Sequence, residues 1–227
     1  MKVSILDGPY ATVFDVGAYA GDFAKACLRA WPRCIVYSFE PLAERPPYGG
    51  PRWRWRPLAL GPQPGLVEMH RCPYLPSSSM LEMTDRHRQA FPYTTGGDLV
   101  SVPVETLDQH ADLVKPPALL KLDVQGWELE VLRGGRRKAL ARFEAILLET
   151  SHELLYHGGP LANDVTRVLQ TLGFKWRRRV DELHDPSTGS LLQSDELWIR
   201  PRRLLLLRRL STRVGNELAR PQARPGA

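Results

Sequence analysis

Short runs of β-branched and aromatic residues alternate with stretches of helical periodicity, as in a mostly parallel sheet covered on both faces. Residues 12–16 (TVFDV) predict a first strand that ends in a glycine turn. A helix follows from Asp22, with Phe23, Ala26, Cys27 and Ala30 on one face and Pro32 as its stop. Residues 34–39 predict a second strand ending at Glu40-Pro41, and residues 53–60 a third, closed by Gly61-Pro62. Within the third, Trp53 and Trp55 alternate with Arg52, Arg54 and Arg56. One buried and one solvated face account for that pattern better than nucleobase stacking does.

Between residues 65 and 104 the alternation breaks. Residues 67–71 and 99–104 predict strands, but the polar segment from Ser77 to Arg88 has no apolar stripe until Phe91. A long insert of this kind is either a functional loop or a plain surface excursion. The alternation then resumes. Residues 118–124 form an apolar strand interrupted by Lys121 and carrying Asp123, and residues 127–132 start a helix halted by Gly134-Gly135. Residues 144–149 predict a buried strand, and Asn163 is placed to cap a helix with Val165, Val168, Leu169 and Leu172 on one face. Residues 174–180 and 196–200 flank the turn-rich segment Asp185-Pro-Ser-Thr-Gly189, which predicts an antiparallel hairpin. The expected fold is α/β and Rossmann-like: a mostly parallel sheet flanked by helices, finished by an antiparallel edge hairpin.

Composition narrows the class. A chain of 227 residues can bury one full core. Residues 1–200 read as one domain and residues 201–227 as a basic, Arg/Leu-rich tail. The net charge of +6 resides in that tail: the first 200 residues carry 24 basic and 24 acidic side chains, against seven arginines and Glu217 beyond them. The excess therefore says little about the substrate of the body. The tail leaves open docking to an anionic surface or a contribution to a homodimer. Cys27, Cys34 and Cys72 form no Cys-x-x-Cys pair, the N-terminus lacks a signal-peptide pattern, and no stretch approaches a membrane span. A cytoplasmic protein with no transmembrane segment is expected.

The candidate chemistry begins at Asp15-Val-Gly17-Ala18-Tyr19-Ala-Gly21, where a strand becomes a helix. Gly17 permits a sharp turn, and Gly21 lets the helix start approach without a Cβ. A diphosphate cradle wants a third glycine and exposed amides. Here Ala18 replaces that glycine, and Asp15 places a negative charge at the strand end, which suits a ligand carrying an ammonium and a sulfonium. Glu40, 23 positions after Gly17 and next to Pro41, stands where an acidic residue can accept hydrogen bonds from both ribose hydroxyls of an adenosine.

The segments VFDVGAYAGDFA, VYSFEP, VETLD, LLKLDVQGWELEVLRGG and ILLET, in this order and spacing, resemble the FkbM methyltransferases from about Thr12 to Arg200. The most specific stretch runs from Lys121 to Gly134, similar to the family's Lys-x-Asp-x-(Glu/Gln)-Gly-x-Glu-x-x-x-Leu-x-Gly. Position 127 carries Trp where many members have a smaller residue. The resemblance implies a class I fold, S-adenosyl-L-methionine as methyl donor with S-adenosyl-L-homocysteine as product, and O-methylation of a small-molecule acceptor, often a sugar or natural product. It also implies that Asp15, Gly17, Gly21 and Glu40 contact the cofactor, and the neighbouring Ala18, Tyr19 and Pro41, together with Asp123, are expected to join them. Ala59, Leu60 and Ser78, within the Ser77–Ser79 segment, are weaker candidates for the adenine side.

Methyl transfer to an alcohol needs alignment and a place for the proton. Asp123 and Glu149 end strands expected to be neighbours, and Asp123 is the first candidate for base or acceptor-orienting group, against a competing use as a helix cap. His152 lies just beyond Glu149 and is the best histidine candidate, against a plain surface role. Glu128 and Glu130 are expected to serve the helix dipole and its solvent face, with the alternative that one of them points into the pocket. Asp123, Glu149 and His152 could form an oxygen-rich Mg2+ site, but their spacing is no known ligand signature, and no metal is favoured. Two other functions compete: an NAD-type oxidoreductase using the same turn, which Ala18 and the edge hairpin oppose, and an RNA-modifying or nucleic-acid-binding protein driven by the arginine tail.

Overall fold

The five residues of TVFDV are all buried, because the strand they form, β1 (Thr12–Val16), lies inside a seven-stranded sheet. This computed structural model describes residues 3, 6–42 and 50–201; the expected basic tail lies outside the described residues apart from Pro201. After β1 come α1 (Asp22–Ala30), β2 (Ile35–Phe39), β3 (Trp53–Arg56), β4 (Ala59–Gly61), β5 (Gly65–Arg71), α2 (Asp85–Ala90) and β6 (Asp98–Thr106). Then follow β7 (Ala118–Leu122), α3 (Glu128–Gly134), β8 (Ala145–Ser151), α4 (Ala162–Thr171), β9 (Lys175–His184) and β10 (Leu191–Ile199). The main sheet has the order β3-β2-β1-β7-β8-β10-β9. All pairs from β3 to β8 are parallel, and β10 runs antiparallel to β8 and β9, which gives the expected edge hairpin.

Alternation along the strands sorts the core into two layers. Phe14, Val16, Leu120, Leu122, Ile146, Leu148 and Trp198 pack under α3 and α4. Val13, Leu119, Leu147 and Leu197 face the other way, against α1 and Trp53. From β1 the chain builds outward through β2 and β3, then returns on the opposite side of β1 at β7. That reversal opens a crevice beyond the carboxyl ends of β1 and β7.

Three local expectations change, while the two-faced reading of the Trp/Arg alternation holds. Residues 53–60 are not one strand: Pro57 has no N–H to donate, and the run breaks there, β3 joining the main sheet and β4 a second sheet of order β4-β6-β5. Trp53 is buried, Trp55 packs beside it and Arg54 is exposed, so the Trp/Arg alternation is a two-faced strand. Asn163 lies inside α4, whose N-cap is Leu161; the Asp164 carboxylate accepts the Leu161 N–H at 3.1 Å. The hairpin strands run longer than the apolar pattern implied, because β9 is an exposed edge whose Lys and Arg side chains carry no inward periodicity.

The polar insert folds back over the sheet ends. Thr84 caps α2, and Met83, Ala90 and Phe91 pack with Leu155, Tyr156 and Leu192. Among the described residues no helix is long and apolar enough to cross a membrane, and Cys27, Cys34 and Cys72 are buried free thiols.

Candidate functional site

At the end of β1 the chain turns through Gly17 with φ 73°, a left-handed conformation that glycine adopts without strain. A Cβ there would lie 1.8 Å from the backbone oxygen of Asp123, so the turn abuts the β7 strand end. The Gly17 and Ala18 N–H groups bond the Phe39 carbonyl at 3.0 and 3.2 Å. Tyr19 follows with φ 45°, and its N–H donates to Glu40 Oε2 at 2.9 Å, while Leu42 N–H donates to Glu40 Oε1 at 2.9 Å. Two backbone donors thus fix the Glu40 carboxylate, and each of its oxygens keeps acceptor capacity for a ligand.

Beside this turn lies a cleft that is open to solvent. Eight of the sequence-derived residues line it: Gly17, Tyr19, Glu40, Pro41, Ala59, Leu60, Ser78 and Asp123. Phe39, Met69, Met80, Val124 and Trp127 complete it with apolar surface. Ser78 also accepts the Cys72 N–H at 3.0 Å, which holds the insert against the rim.

Three expected cofactor contacts do not line the cleft. Gly21 is the N-cap of α1 with φ 74°, and a Cβ on it would meet the Trp53 ring at 2.2 Å; it serves packing. Ala18 is buried in the turn. Asp15 is fully buried behind it, 3.4 Å from both Ser38 Oγ and Lys121 Nζ. Burial pushes the Asp15 carboxyl above its ordinary range, against the lowering effect of Lys121 and Ser38. Burial works to lower the Lys121 pKa, but Asp123 and Asp15 outweigh it and raise the group above the usual lysine range. Lys121 Nζ also donates to the Gly17 carbonyl at 2.9 Å and lies 3.2 Å from Asp123 Oδ2. The one charged residue of an otherwise apolar strand is therefore the tie between turn and strand end.

Asp123 is shared with a second, open cleft. Glu149 stands there on the neighbouring strand, as its expected position required, and the two carboxylates are joined by Gln125. Gln125 Nε2 donates to Asp123 Oδ1 at 3.0 Å and to Glu149 Oε2 at 2.8 Å, and its Oε1 accepts the Tyr156 hydroxyl at 2.9 Å. The backbone supports this reach with φ 52° at Gln125 and 92° at Gly126. Gln193 adds a further bond to Glu149 Oε2 at 2.7 Å. Burial first, then Asp123, Asp195 and Glu128, raises the Glu149 pKa well above the ordinary value, so Glu149 holds its proton where a typical carboxyl has lost it.

His152 is not part of this group. It follows β8 on the other side of the sheet edge and bonds Ser194 Oγ at 2.8 Å. The three residues considered for Mg2+ therefore do not converge, and no group of three His, Cys, Asp or Glu among the described residues is placed to hold a metal. Nor does Asp123 cap the α3 region. The N-cap of α3 is Trp127, with no side-chain bond, and Glu128 ties the loop before it: its carboxylate accepts the N–H of Val124 at 3.1 Å and of Gly126 at 3.3 Å. It is 3% exposed rather than on a solvent face, and burial pushes its pKa up to about 7.

Gln125, Gln193, Tyr156 and the insert side chains Tyr74, His87, Phe91 and Tyr93 were not singled out by sequence. Gln125 had a visible cue, a polar residue before glycine at a strand end. The others come together only through the fold of the insert.

The matching family model is the methyltransferase FkbM domain, over residues 15–176. A 2-O-methyltransferase, NoeI, from Sinorhizobium fredii is 26% identical over 175 residues, covering 69% of this chain and 70% of that protein. Among solved structures, the methyltransferase FkbM from Methylobacillus flagellatus KT is 16% identical with a TM-score of 0.48, over 83% of this chain and 43% of that one. This chain thus spans less than half the length of that structure. Magnesium protoporphyrin IX methyltransferase from Synechocystis PCC 6803, solved with bound S-adenosylmethionine, is 12% identical with a TM-score of 0.41, over 87% and 73% of the two chains. The Gly17 turn, the Lys121–Gly134 motif and the family match over most of the body agree: the chain belongs to the FkbM family of S-adenosylmethionine-dependent methyltransferases.

Proposed function

We propose that this protein transfers a methyl group from S-adenosylmethionine to a hydroxyl of a small molecule, with the donor in the cleft beside Glu40 and the acceptor in the cleft beside Glu149. The observation that carries this reading is the pair of clefts meeting at Asp123 and Gln125. The residues of the first cleft suit the donor. Glu40 offers acceptor oxygens to the ribose hydroxyls, and Ala59, Leu60, Phe39 and Trp127 offer apolar surface to an adenine ring. The acidic end of the sheet, with Asp123 partly exposed, suits a cationic sulfur.

When bound, S-adenosylmethionine supplies an electrophilic methyl carbon on a positively charged sulfur. The acceptor oxygen forms the new C–O bond as the C–S bond breaks; the electron pair stays on sulfur, and the hydroxyl proton leaves. Asp123 is the group placed to take that proton. Its side chain is 39% exposed and borders both clefts, whereas Glu149 is buried, and burial makes its carboxyl harder to ionise. Lys121 and Gln125 fix Asp123 by one oxygen each. Alignment of donor and acceptor can lower the barrier by roughly 7–11 kcal/mol. A positioned base adds about 10²–10⁴-fold. Asp15, buried behind Lys121, acts through that lysine rather than on the ligand.

The NoeI relative is a 2-O-methyltransferase, which supports oxygen as the accepting atom here. Titration calorimetry with S-adenosylmethionine and S-adenosylhomocysteine tests the donor site. Binding to wild type and its loss in Glu40→Ala are expected. Transfer of a tritiated methyl group across a panel of glycosides, catechols and carboxylic acids tests the acceptor atom. Failure of wild type to bind either adenosyl ligand would overturn the proposal, and exclusive labelling of carboxylates would overturn its hydroxyl part.

A further inference from the structure

His87 borders the second cleft from α2, 2% exposed, and neither of its ring nitrogens has a hydrogen-bond partner. Its ring meets Phe91 at 5.4 Å and Tyr156 at 5.1 Å, both edge-on. His110, His152 and His184 each find a polar neighbour, in Glu105, Ser194 and Glu182. A buried polar group left unpaired costs about 1–3 kcal/mol. A phenyl ring would fill the same space between Phe91 and Tyr156 without that cost. The imidazole is useful there only if something polar enters the cleft.

The rest of the lining fits such a visitor. The sheet contributes Asp123, Gln125, Glu149 and Gln193, all with oxygen or nitrogen atoms for a polar molecule. The insert contributes Tyr74 and Tyr93, in edge contact at 5.3 Å and exposed by 48% and 62%. Large exposed aromatic rings at the mouth of a polar cleft offer a stacking face to a ring-shaped ligand.

We propose that His87 is a specificity-determining residue of the acceptor cleft, hydrogen-bonding a second polar group of the acceptor apart from the hydroxyl that is methylated. The inference rests on the methyltransferase reading above and assigns this residue a role within it. Burial pushes the His87 pKa down to about 4, so the ring is neutral near pH 7 and offers one donor and one acceptor. It recognises the acceptor and takes no part in moving the proton.

The test compares wild type with His87→Phe and His87→Gln. Calorimetry should show the same S-adenosylhomocysteine affinity in all three, and His87→Phe should melt no lower than wild type. In protein labelled with 15N-histidine, addition of methyl α-D-glucopyranoside, a ring with several hydroxyls, should move the His87 ring resonances. With an acceptor identified by the methyl-transfer panel, His87→Phe should raise KM by about tenfold with little change in kcat, the loss of roughly one hydrogen bond. His87→Gln should recover much of it. Unmoved His87 resonances, or a wild-type KM in His87→Phe, would overturn the assignment. If wild type fails to bind S-adenosylhomocysteine, the methyltransferase reading itself falls and takes this role with it.

Discussion

Lys121 Nζ donates to the carbonyl oxygen of Gly17 at 2.9 Å, joining residues 104 positions apart in the chain. The same ammonium faces Asp15 and Asp123, so one buried cation holds the turn, the strand behind it and the carboxylate at the junction of the clefts. Lys121→Met would keep the stem and remove the charge, leaving Asp15 buried without its partner. Breaking a buried pair in this way costs roughly 3–5 kcal/mol. Urea unfolding should show that loss, together with weakened S-adenosylhomocysteine binding. The double variant Lys121→Met/Asp15→Asn should regain much of the stability but not the affinity, because the Gly17 carbonyl would still be untied.

Gly17→Ala tests the turn from the other side. The new Cβ would fall 1.8 Å from the Asp123 oxygen, a backbone atom that no side-chain rotation can clear, at a φ of 73° that alanine resists. Strain of this type costs about 1–3 kcal/mol before the clash is counted. Calorimetry should show S-adenosylhomocysteine affinity reduced at least tenfold. Gly158→Ala is the control for positive φ alone, since a Cβ there meets nothing within 4 Å. It should cost stability modestly and leave binding intact.

Strands β1, β2, β7 and β8 were legible because each is a short, mostly apolar run bounded by turn residues, and the glycine turn and Glu40 were legible because a strand end fixes where they must lie. Asp15 does not line the cleft, and the reason is physical. Spacing along a strand shows that Asp15 stands near the turn, but not that Lys121, its register partner on β7, would bury it. His152 does not join Glu149 because the two, three residues apart across a strand end, leave on opposite sides. His87 and the Tyr74–Tyr93 pair were invisible, since an insert without periodicity gives no hint of which side chains it folds over the sheet.

Glu128 makes a prediction about pH. Its carboxyl is harder to ionise in the folded chain, with a pKa raised from the ordinary 4.5 to about 7 by burial. Between those values the native state holds more protons than the unfolded one, so this group's contribution to stability declines as pH rises through that window. At about 1.4 kcal/mol per unit, the full effect is on the order of 3 kcal/mol and is reached above pH 7. Glu128→Gln keeps an oxygen for the Val124 and Gly126 N–H groups and cannot ionise. In urea unfolding across pH 5 to 8, the variant should gain on wild type as pH rises. A constant difference across that range would show that Glu128 does not titrate in it.

Asp123 and His152 were both candidates to move the acceptor proton, and their surroundings now separate them. Asp123 borders both clefts and is held by Lys121 and Gln125, while His152 spends a ring nitrogen on Ser194 outside either cleft. Asp123→Asn preserves shape and removes the basic oxygen, so kcat with any acceptor found by the methyl-transfer panel should fall by about 10²–10⁴-fold. S-adenosylhomocysteine binding should change much less, because the Glu40 side of the donor cleft is untouched. His152→Ala should leave kcat and KM at wild-type values and cost stability only by the loss of one hydrogen bond, about 1 kcal/mol. The reverse pattern, with activity surviving Asp123→Asn and lost in His152→Ala, would move the proton path to the other side of the sheet.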